Sequence, residues 1–295
     1  VDLYDYENSP VNHRISSNNF ADAILYFKEI QSLFENDELL ILSLTRIFKR
    51  LGDTDQTIFY LGKLIENKHY RLLTICSYIY QNSFNNNWPQ KEFLKYGKFL
   101  AEKLPKYSED QMIKINNVKN NKIRIAFLSS DLKTSHSVTF FLKTILKNYN
   151  KKEYEIYLYL NNKEQTYDKD TKSFIELADK TINISILDDI QAINLIRKDH
   201  IDIMFDLMGI TSKNRITLFK NRLAPIQVSW CGYCNTTGLK EMDYIIVDPH
   251  LIYDEEKNLY SEKIIYMPDI WNCHSGLNIK REEYLPPIIN NKYIT

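Results

Sequence analysis

The sequence predicts an α + α/β protein, in which helical repeats precede a doubly wound parallel sheet. Two observations support this prediction. Apolar residues recur at three- and four-residue steps as far as about residue 106. From Ile123 onward, short apolar strands alternate with amphipathic helices, as they do in parallel sheets covered by helices on both faces. We therefore predict two domains, a helical repeat region with its linker at 1–118 and a Rossmann-like sheet domain at 119–295.

The helical region contains two weakly similar copies of one pattern. Thr57–Leu61 lies over Ala23–Phe27 at an offset of 57 − 23 = 34 residues, and Leu64 lies over Ile30 at the same offset. Thirty-four residues is the period of tetratricopeptide repeats, each a pair of antiparallel helices. Arg50–Asp53 stands where the turn between helices is expected. An ordinary helical bundle is the alternative interpretation.

The remaining elements follow in chain order. A helix at 90–104 leads into a polar linker at 105–122. Further helices are predicted at 138–149, 168–178, 188–198 and 216–220, and strands at 123–128, 155–160, 182–186, 201–207, around Gln227, at 244–247 and at 263–267. In such a sheet, ligands bind at loops that follow the carboxyl ends of the strands.

The composition excludes several classes of protein. The 38 basic and 38 acidic side chains cancel, which argues against a nucleic-acid binder or a protein of anionic membranes. No apolar run is long enough for a transmembrane helix. Four cysteines in a chain of 295 residues are typical of a reducing compartment, so we expect a cytoplasmic protein.

The loop after the first strand carries the first candidate site. It runs from Ser129 to Val138 and opens a helix, whose free N–H groups and dipole suit an anion. His136 is a candidate acid or base, and Asp131 could orient it or act as the base itself. Thr134 and Ser135 are candidate substrate-binding residues of the same loop. Alternatively, Asp131 and Ser137 are only turn and cap residues, and His136 is an ordinary loop histidine.

Two further loops contain glycine and hydroxyl side chains. Gly209 and Thr211 follow the strand at 201–207. The stretch Ala224–Leu239 begins as a strand and continues into a loop that Gly232 and Gly238 bracket. Glycine allows a sharp turn or a close approach of backbone to ligand.

The same loop contains the pair Cys231 and Cys234. Zinc would need two further ligands, and a redox pair would normally open a helix, so we disfavour both interpretations. The sequence contains no glycine-rich dinucleotide motif, no phosphate-binding P-loop and no serine-hydrolase elbow.

Several motifs in the second half occur together in one family. They include Arg124-Ile-Ala-Phe-Leu-Ser-Ser-Asp131, His136-Ser-Val, Asp202-Ile-x-x-Asp-Leu-x-Gly209 and Ala224-Pro-Ile-Gln, followed by Thr236-Thr-Gly238. In order and spacing, residues 123–267 resemble the amino-terminal catalytic lobe of protein O-linked N-acetylglucosamine transferases and their SPINDLY-like relatives. In that family, tetratricopeptide repeats precede the catalytic region.

The resemblance implies one lobe of a GT-B glycosyltransferase. It implies inverting transfer of a sugar from a nucleotide sugar to Ser or Thr of proteins, without a metal or other cofactor. The implied donor is UDP-N-acetylglucosamine, with GDP-fucose as the alternative, and protein or peptide acceptors are expected to bind the repeats. A non-catalytic repeat protein is the competing interpretation.

The resemblance also implies roles for particular residues. His136 and Asp131 fall on the family's active-site histidine and aspartate, and His69 matches a further active-site histidine. The sugar pocket is implied to be lined by Gly232, Tyr233, Thr236 and Thr237. The stretch Lys292–Thr295 corresponds to the opening strand of the second lobe, which carries most of the nucleotide contacts, so residues 1–295 alone are expected to be inactive.

Overall fold

The computed structural model describes residues 24–25, 37–68, 70–115, 120–134, 136–162, 167–276, 289 and 293. Its helical region contains two helical hairpins in succession. The helices are α1 (Glu38–Leu51), α2 (Thr54–Glu66), α3 (Leu72–Asn82) and α4 (Gln90–Lys103). Gly52 ends α1 in the left-handed conformation, which confirms the predicted turn. The helices α1 and α3 begin 72 − 38 = 34 residues apart, although most of the first predicted copy lies outside the described residues.

The second half forms one seven-stranded sheet. Its strands are β1 (Ile123–Ser129), β2 (Tyr154–Leu160), β3 (Lys180–Asn183), β4 (Ile203–Asp206), β5 (Ile226–Ser229), β6 (Tyr244–Val247) and β7 (Lys263–Tyr266). All neighbouring strands are parallel, in the order β3-β2-β1-β4-β5-β6-β7. The predicted doubly wound sheet is therefore confirmed. Successive strands are added on one side of β1 as far as β3 and on its other side from β4 onward, so the strand order reverses between β1 and β4.

Four helices connect the strands, namely α5 (Ser137–Asn148), α6 (Lys169–Leu177), α7 (Asp189–Lys198) and α8 (Ile216–Lys220). Aspartates cap α6 and α7, since Asp168 accepts a hydrogen bond from the N–H of Thr171 and Asp188 from that of Gln191. The strand predicted at 182–186 begins two residues earlier and ends three residues earlier in the structure. Pairing with β2 places β3 at Lys180–Asn183, and Ile186 is exposed in the turn that leads to Asp188.

A single hydrophobic core joins the helical region to the sheet. Ile75, Phe93 and Leu100 of α3 and α4 pack in the same cluster as Leu128 of β1 and Met204 of β4. The other face of the sheet has its own core beneath α5 and α6. The chain on either side of the predicted boundary at 118/119 therefore shares buried apolar surface.

The linker after α4 is fastened to the sheet domain by hydrogen bonds. The buried guanidinium of Arg197 donates to the carbonyl oxygens of Ile113, Asn221 and Arg222, at 2.8, 2.6 and 3.0 Å. The side chain of Asn221 accepts from the N–H of Tyr107 and donates to the carbonyl of Pro105. A buried cation whose donors are satisfied in this way fixes the path of the linker.

Candidate functional site

The candidate loops follow β1, β4 and β5, which are adjacent in the sheet. The first two flank the point at which the strand order reverses. The carboxyl ends of parallel strands open a crevice at such a point, and open α/β sheets bind ligands there. The N–H of Ser130, after β1, lies 3.2 Å from the sulfur of Met208, after β4, so the two loops are in contact.

His136 lies in the loop that follows β1 and is the residue before α5. Its Nε2 atom lies 3.7 Å from an oxygen of Asp131, which is an ion-pair distance and longer than a hydrogen bond. About a third of the imidazole is exposed, whereas its Nδ1 atom is buried without a hydrogen-bond partner in the described structure. No side chain caps α5, so the alternative that Ser137 serves as its cap is wrong. The structure brings His136 and Asp131 together, as the sequence suggested.

Hydrogen bonds hold the loop between Asp131 and His136 in place. The buried hydroxyl of Thr139 donates to the carbonyl of Lys133 and accepts from its N–H, at 2.7 and 3.1 Å. Asp168 accepts from the N–H of Thr134 at 2.7 Å. Burial would raise the pKa of Asp168, but hydrogen bonds from Thr171 and Thr134 outweigh it and lower the pKa. The side chain of Thr134 is exposed beside this anchored backbone.

Asp206 ends β4 and is buried beneath the loop that follows. One carboxylate oxygen accepts from the N–H of Met208 at 2.9 Å and the carboxylate also accepts from the N–H of Gly209, while the other oxygen has no partner among the described residues. Burial raises the pKa of Asp206 to about 7, because the two N–H groups only partly offset the loss of water. This carboxyl group can therefore hold or release a proton near neutral pH.

The loops after β4 and β5 interlock through two glycines. A Cβ atom on Gly232 would lie 1.8 Å from the carbonyl oxygen of Leu207, and one on Gly209 would lie 2.5 Å from the Cβ of Tyr233. Gly209 also has a positive φ of 55°. The hydroxyl of Thr211 donates to the carbonyl of Met208 at 2.7 Å and closes the β4 loop. Gly232 and Tyr233 therefore border the same crevice as Gly209.

Thr236 and Thr237 lie farther along the chain and are buried against Glu262. Glu262 accepts from the hydroxyl of Thr236 at 2.7 Å, from the N–H of Thr237 at 2.7 Å and from the Thr237 hydroxyl. Burial raises the pKa of Glu262, although these hydrogen bonds act in the opposite direction. The contacts of both hydroxyl groups thus lie within the protein, and their implied role in substrate binding stays a prediction.

Buried polar atoms without a hydrogen-bond partner concentrate at the crevice. Six such side-chain atoms occur among the described residues. Three belong to the loops after β1 and β5, and a fourth belongs to the last residue of β4. They are Ser130 Oγ, His136 Nδ1, one carboxylate oxygen of Asp206 and the hydroxyl of Tyr233. Because an unpaired buried polar group costs free energy, such a concentration is typical of a functional site rather than of a structural core.

The cysteine pair has no feature of a reactive site. Burial raises the pKa of Cys231 to about 12, which disfavours the thiolate that redox chemistry and metal binding require. All four cysteines are unpaired. No group of three or more His, Cys, Asp or Glu side chains in the described part of the chain has a geometry suited to a metal ion.

Two candidate residues, His69 and Ser135, lie outside the described residues. Conversely, Asp206 and Glu262 were not among the residues predicted for the site, although Asp206 occurs in the motif Asp202–Gly209. Asp206 could have been found as an acidic residue that ends an apolar strand. Glu262 precedes the last strand, and its pairing with Thr236 across 26 residues leaves no local signal.

The fold and the crevice together define an open α/β lobe with a ligand site at its switch point. Comparisons with known proteins assign that lobe to a family. Residues 97–278, more than half of the chain, match the family model for glycosyl transferase family 41. The chain belongs to this family.

Individual relatives agree with the assignment. Over 180 residues, the chain is 29% identical to the probable UDP-N-acetylglucosamine–peptide N-acetylglucosaminyltransferase SPINDLY of Arabidopsis thaliana, covering 59% of this chain and 19% of that protein. It is 26% identical over 168 residues to the probable UDP-N-acetylglucosamine–peptide N-acetylglucosaminyltransferase SEC of Arabidopsis thaliana, covering 56% of this chain and 17% of that protein. The chain thus spans about a fifth of the length of these curated relatives.

A solved structure shows the same fold. A variant of the O-GlcNAc transferase from Thermobaculum terrenum superposes with a TM-score of 0.73 and 22% identity, covering 87% of this chain and 49% of that one. Within the described residues, no helix has an apolar stretch long enough to cross a lipid bilayer.

Proposed function

We propose that the full-length protein transfers N-acetylglucosamine from UDP-N-acetylglucosamine to Ser or Thr hydroxyls of proteins, with inversion at the sugar. Membership of glycosyl transferase family 41 and the names of the plant relatives support the donor and the peptide acceptor. The observation that carries the proposal is the convergence of Asp131, His136, Asp206 and Gly209 at the switch-point crevice.

Inverting transfer requires a base that takes the acceptor proton as its oxygen attacks the sugar. His136 and Asp131 are the proposed residues for this step, since they lie together at the start of α5 with the imidazole partly exposed. Asp206 offers a second proton acceptor deeper in the crevice, because its pKa near 7 and unpaired oxygen suit that role. His69 remains part of the proposal on the family resemblance alone.

The donor must also be held so that attack is in line with the departing diphosphate. We propose that the loops after β4 and β5, with Gly209, Thr211, Gly232 and Tyr233, form the sugar side of the cleft. Thr134 and Ser135, beside the uncapped start of α5, are proposed to contact the substrate, where a helix N-terminus favours negative charge. Thr236 and Thr237 would support this wall through Glu262.

The proposal includes acceptor binding by the helical repeats, a cytoplasmic location and no requirement for a cofactor. The helical hairpins of the first half support the first point. The four unpaired cysteines support a reducing compartment.

The test is a donor comparison with the full-length protein. A peptide rich in Ser and Thr is incubated separately with UDP-N-acetylglucosamine and GDP-fucose, and the products are analysed by mass spectrometry. The proposal predicts addition of N-acetylhexosamine, removed by a hexosaminidase, with the first donor alone. Transfer of fucose would replace the donor assignment, and absence of transfer with either donor would favour a non-catalytic repeat protein.

A further inference from the structure

The helical region touches the loop after β5 through backbone contact. Gly97 of α4 faces Gly238, and a Cβ atom on Gly238 would lie 2.0 Å from the carbonyl carbon of Gly97. A Cβ atom on Gly97 would lie 3.1 Å from the Cα of Gly238. Only two glycines allow a helix and a turn to approach this closely.

A pair of amides lies at the first residue of the same helix. Gln90 donates to the side-chain oxygen of Asn235 at 2.6 Å, and Asn235 donates back to the oxygen of Gln90 at 3.1 Å. The same oxygen of Asn235 accepts from the N–H of Thr236 at 2.7 Å. Gln90 and Gly97 are seven residues apart, so they lie on one face of α4. That face therefore holds the turn Asn235–Gly238 at both of its ends.

The opposite side of this turn is held by Glu262. Its carboxylate accepts from both threonines of the turn, and the N–H of Ser261 donates to the hydroxyl of Thr236 at 3.1 Å. The turn is thus enclosed between the helical region on one side and the segment before β7 on the other. A change in the position of α4 would act on it directly.

The turn continues without a break into the wall of the crevice. Only Cys234 separates Asn235 from Tyr233, whose ring packs on Gly209, and Gly232 lies against the carbonyl of Leu207. These contacts leave Tyr233 little freedom to adjust independently of the turn. The position of α4 therefore determines the position of the loop that borders the site.

We propose that Gln90 is a positioning residue that links the helical region to the donor side of the cleft. The assignment of a donor side rests on the proposed function, whereas the contact between Gln90 and the turn does not. Displacing the turn is expected to disturb donor binding at Gly232 and Tyr233. Acceptor binding by the repeats is not expected to change.

The test compares Gln90→Leu with Gln56→Leu in the full-length protein. Both changes remove an amide near the start of a helix, but Gln56 is exposed on α2. Hydrogen exchange is measured for the peptide covering 235–239. In this stretch the N–H groups of Thr237, Gly238 and Leu239 all donate to side-chain oxygens. We expect exchange to quicken roughly three- to tenfold in Gln90→Leu, the scale of one or two lost hydrogen bonds, and to stay unchanged in Gln56→Leu.

Steady-state kinetics supply the second measurement. If the loop with Gly232 and Tyr233 is displaced, the KM for the nucleotide sugar is expected to rise by about threefold or more, as for the loss of one hydrogen bond. The KM for the peptide is expected to stay unchanged. A merely less stable protein would lose kcat with both KM values unchanged.

The outcomes separate the two proposals. Unchanged exchange at 235–239 in Gln90→Leu, or a fall in kcat alone, would overturn the positioning role. A wild-type protein without sugar transfer would instead remove the proposed function, and the exchange measurement would still decide whether Gln90 holds the turn.

Discussion

At the scale of single residues, Asp206 is the most unusual group in the crevice. It is buried, has one unpaired oxygen and carries a pKa raised to about 7. In the unfolded chain the same carboxyl group has an ordinary pKa near 3.8. Between these two values the folded protein binds a proton that the unfolded chain has released, so this group makes stability fall as pH rises toward 7.

Replacing Asp206 with Asn tests that assignment. Asn keeps an oxygen for the N–H groups of Met208 and Gly209 but cannot ionise. The unfolding free energy of Asp206→Asn minus that of wild type is therefore expected to increase by about 1–3 kcal/mol as the pH rises from 5 to 8. Each pKa unit is worth about 1.4 kcal/mol. Urea titrations at both values measure it. A difference between the two proteins that does not change with pH would contradict the raised pKa.

At the scale of elements, the loops after β4 and β5 depend on glycine where the backbone passes closest. Gly232→Ala would force a methyl group into the carbonyl of Leu207, which is backbone and cannot yield easily. We expect a loss of about 2 kcal/mol or more in unfolding free energy.

The matched control is Gly62→Ala in the interior of α2. Its added methyl would lie at an ordinary contact distance of 3.6 Å from the ring of Tyr78. Alanine is the better helix former, so this change is expected to stabilise the protein by about 0.5–1 kcal/mol. Thermal unfolding of both variants checks the pair, and equal effects of the two substitutions would refute the assigned loop packing.

The elements were largely predictable from sequence because their signals are local. The strand at 244–247 and the helix at 216–220 coincide with their predicted bounds, and aspartates at 168 and 188 mark helix starts. The crevice was predictable too, since parallel strands place their carboxyl ends together. The pairing of Gln90 with Asn235, 145 residues apart, was not predictable, because it depends on how the helical region packs on the sheet.

The strand β5 illustrates a second limit. Gln227 and Ser229 alternate with apolar residues along this strand, and both polar side chains are buried. The amide of Gln227 accepts from the N–H of Leu223 and donates to the carbonyls of Phe219 and Glu241. Burial of this residue is possible because tertiary contacts satisfy every polar group, and no local pattern reveals such contacts.

At the scale of the whole molecule, the helical region and the sheet share one core. Leu100, Ala101 and Leu104 pack with residues of β1 and β4, and Arg197 binds the linker. Residues 119–295 produced alone are therefore expected to lose cooperative unfolding, in contrast to residues 1–295, because apolar surface on the sheet loses its cover. Near-ultraviolet circular dichroism during urea unfolding tests this. A sharp transition of the isolated sheet domain would show that it is independent of the helices.

We propose that sugar transfer occurs at the crevice between β1 and β4, with His136 as an acid–base residue. The direct measurement is the single-turnover rate of transfer by the full-length protein carrying His136→Asn, compared with His200→Asn. His200 precedes β4 and so lies at the opposite edge of the sheet. We predict at least a tenfold loss for His136→Asn, about 1.4 kcal/mol of barrier, and a wild-type rate for His200→Asn. Transfer by His136→Asn at the wild-type rate would show that His136 takes no part in the reaction.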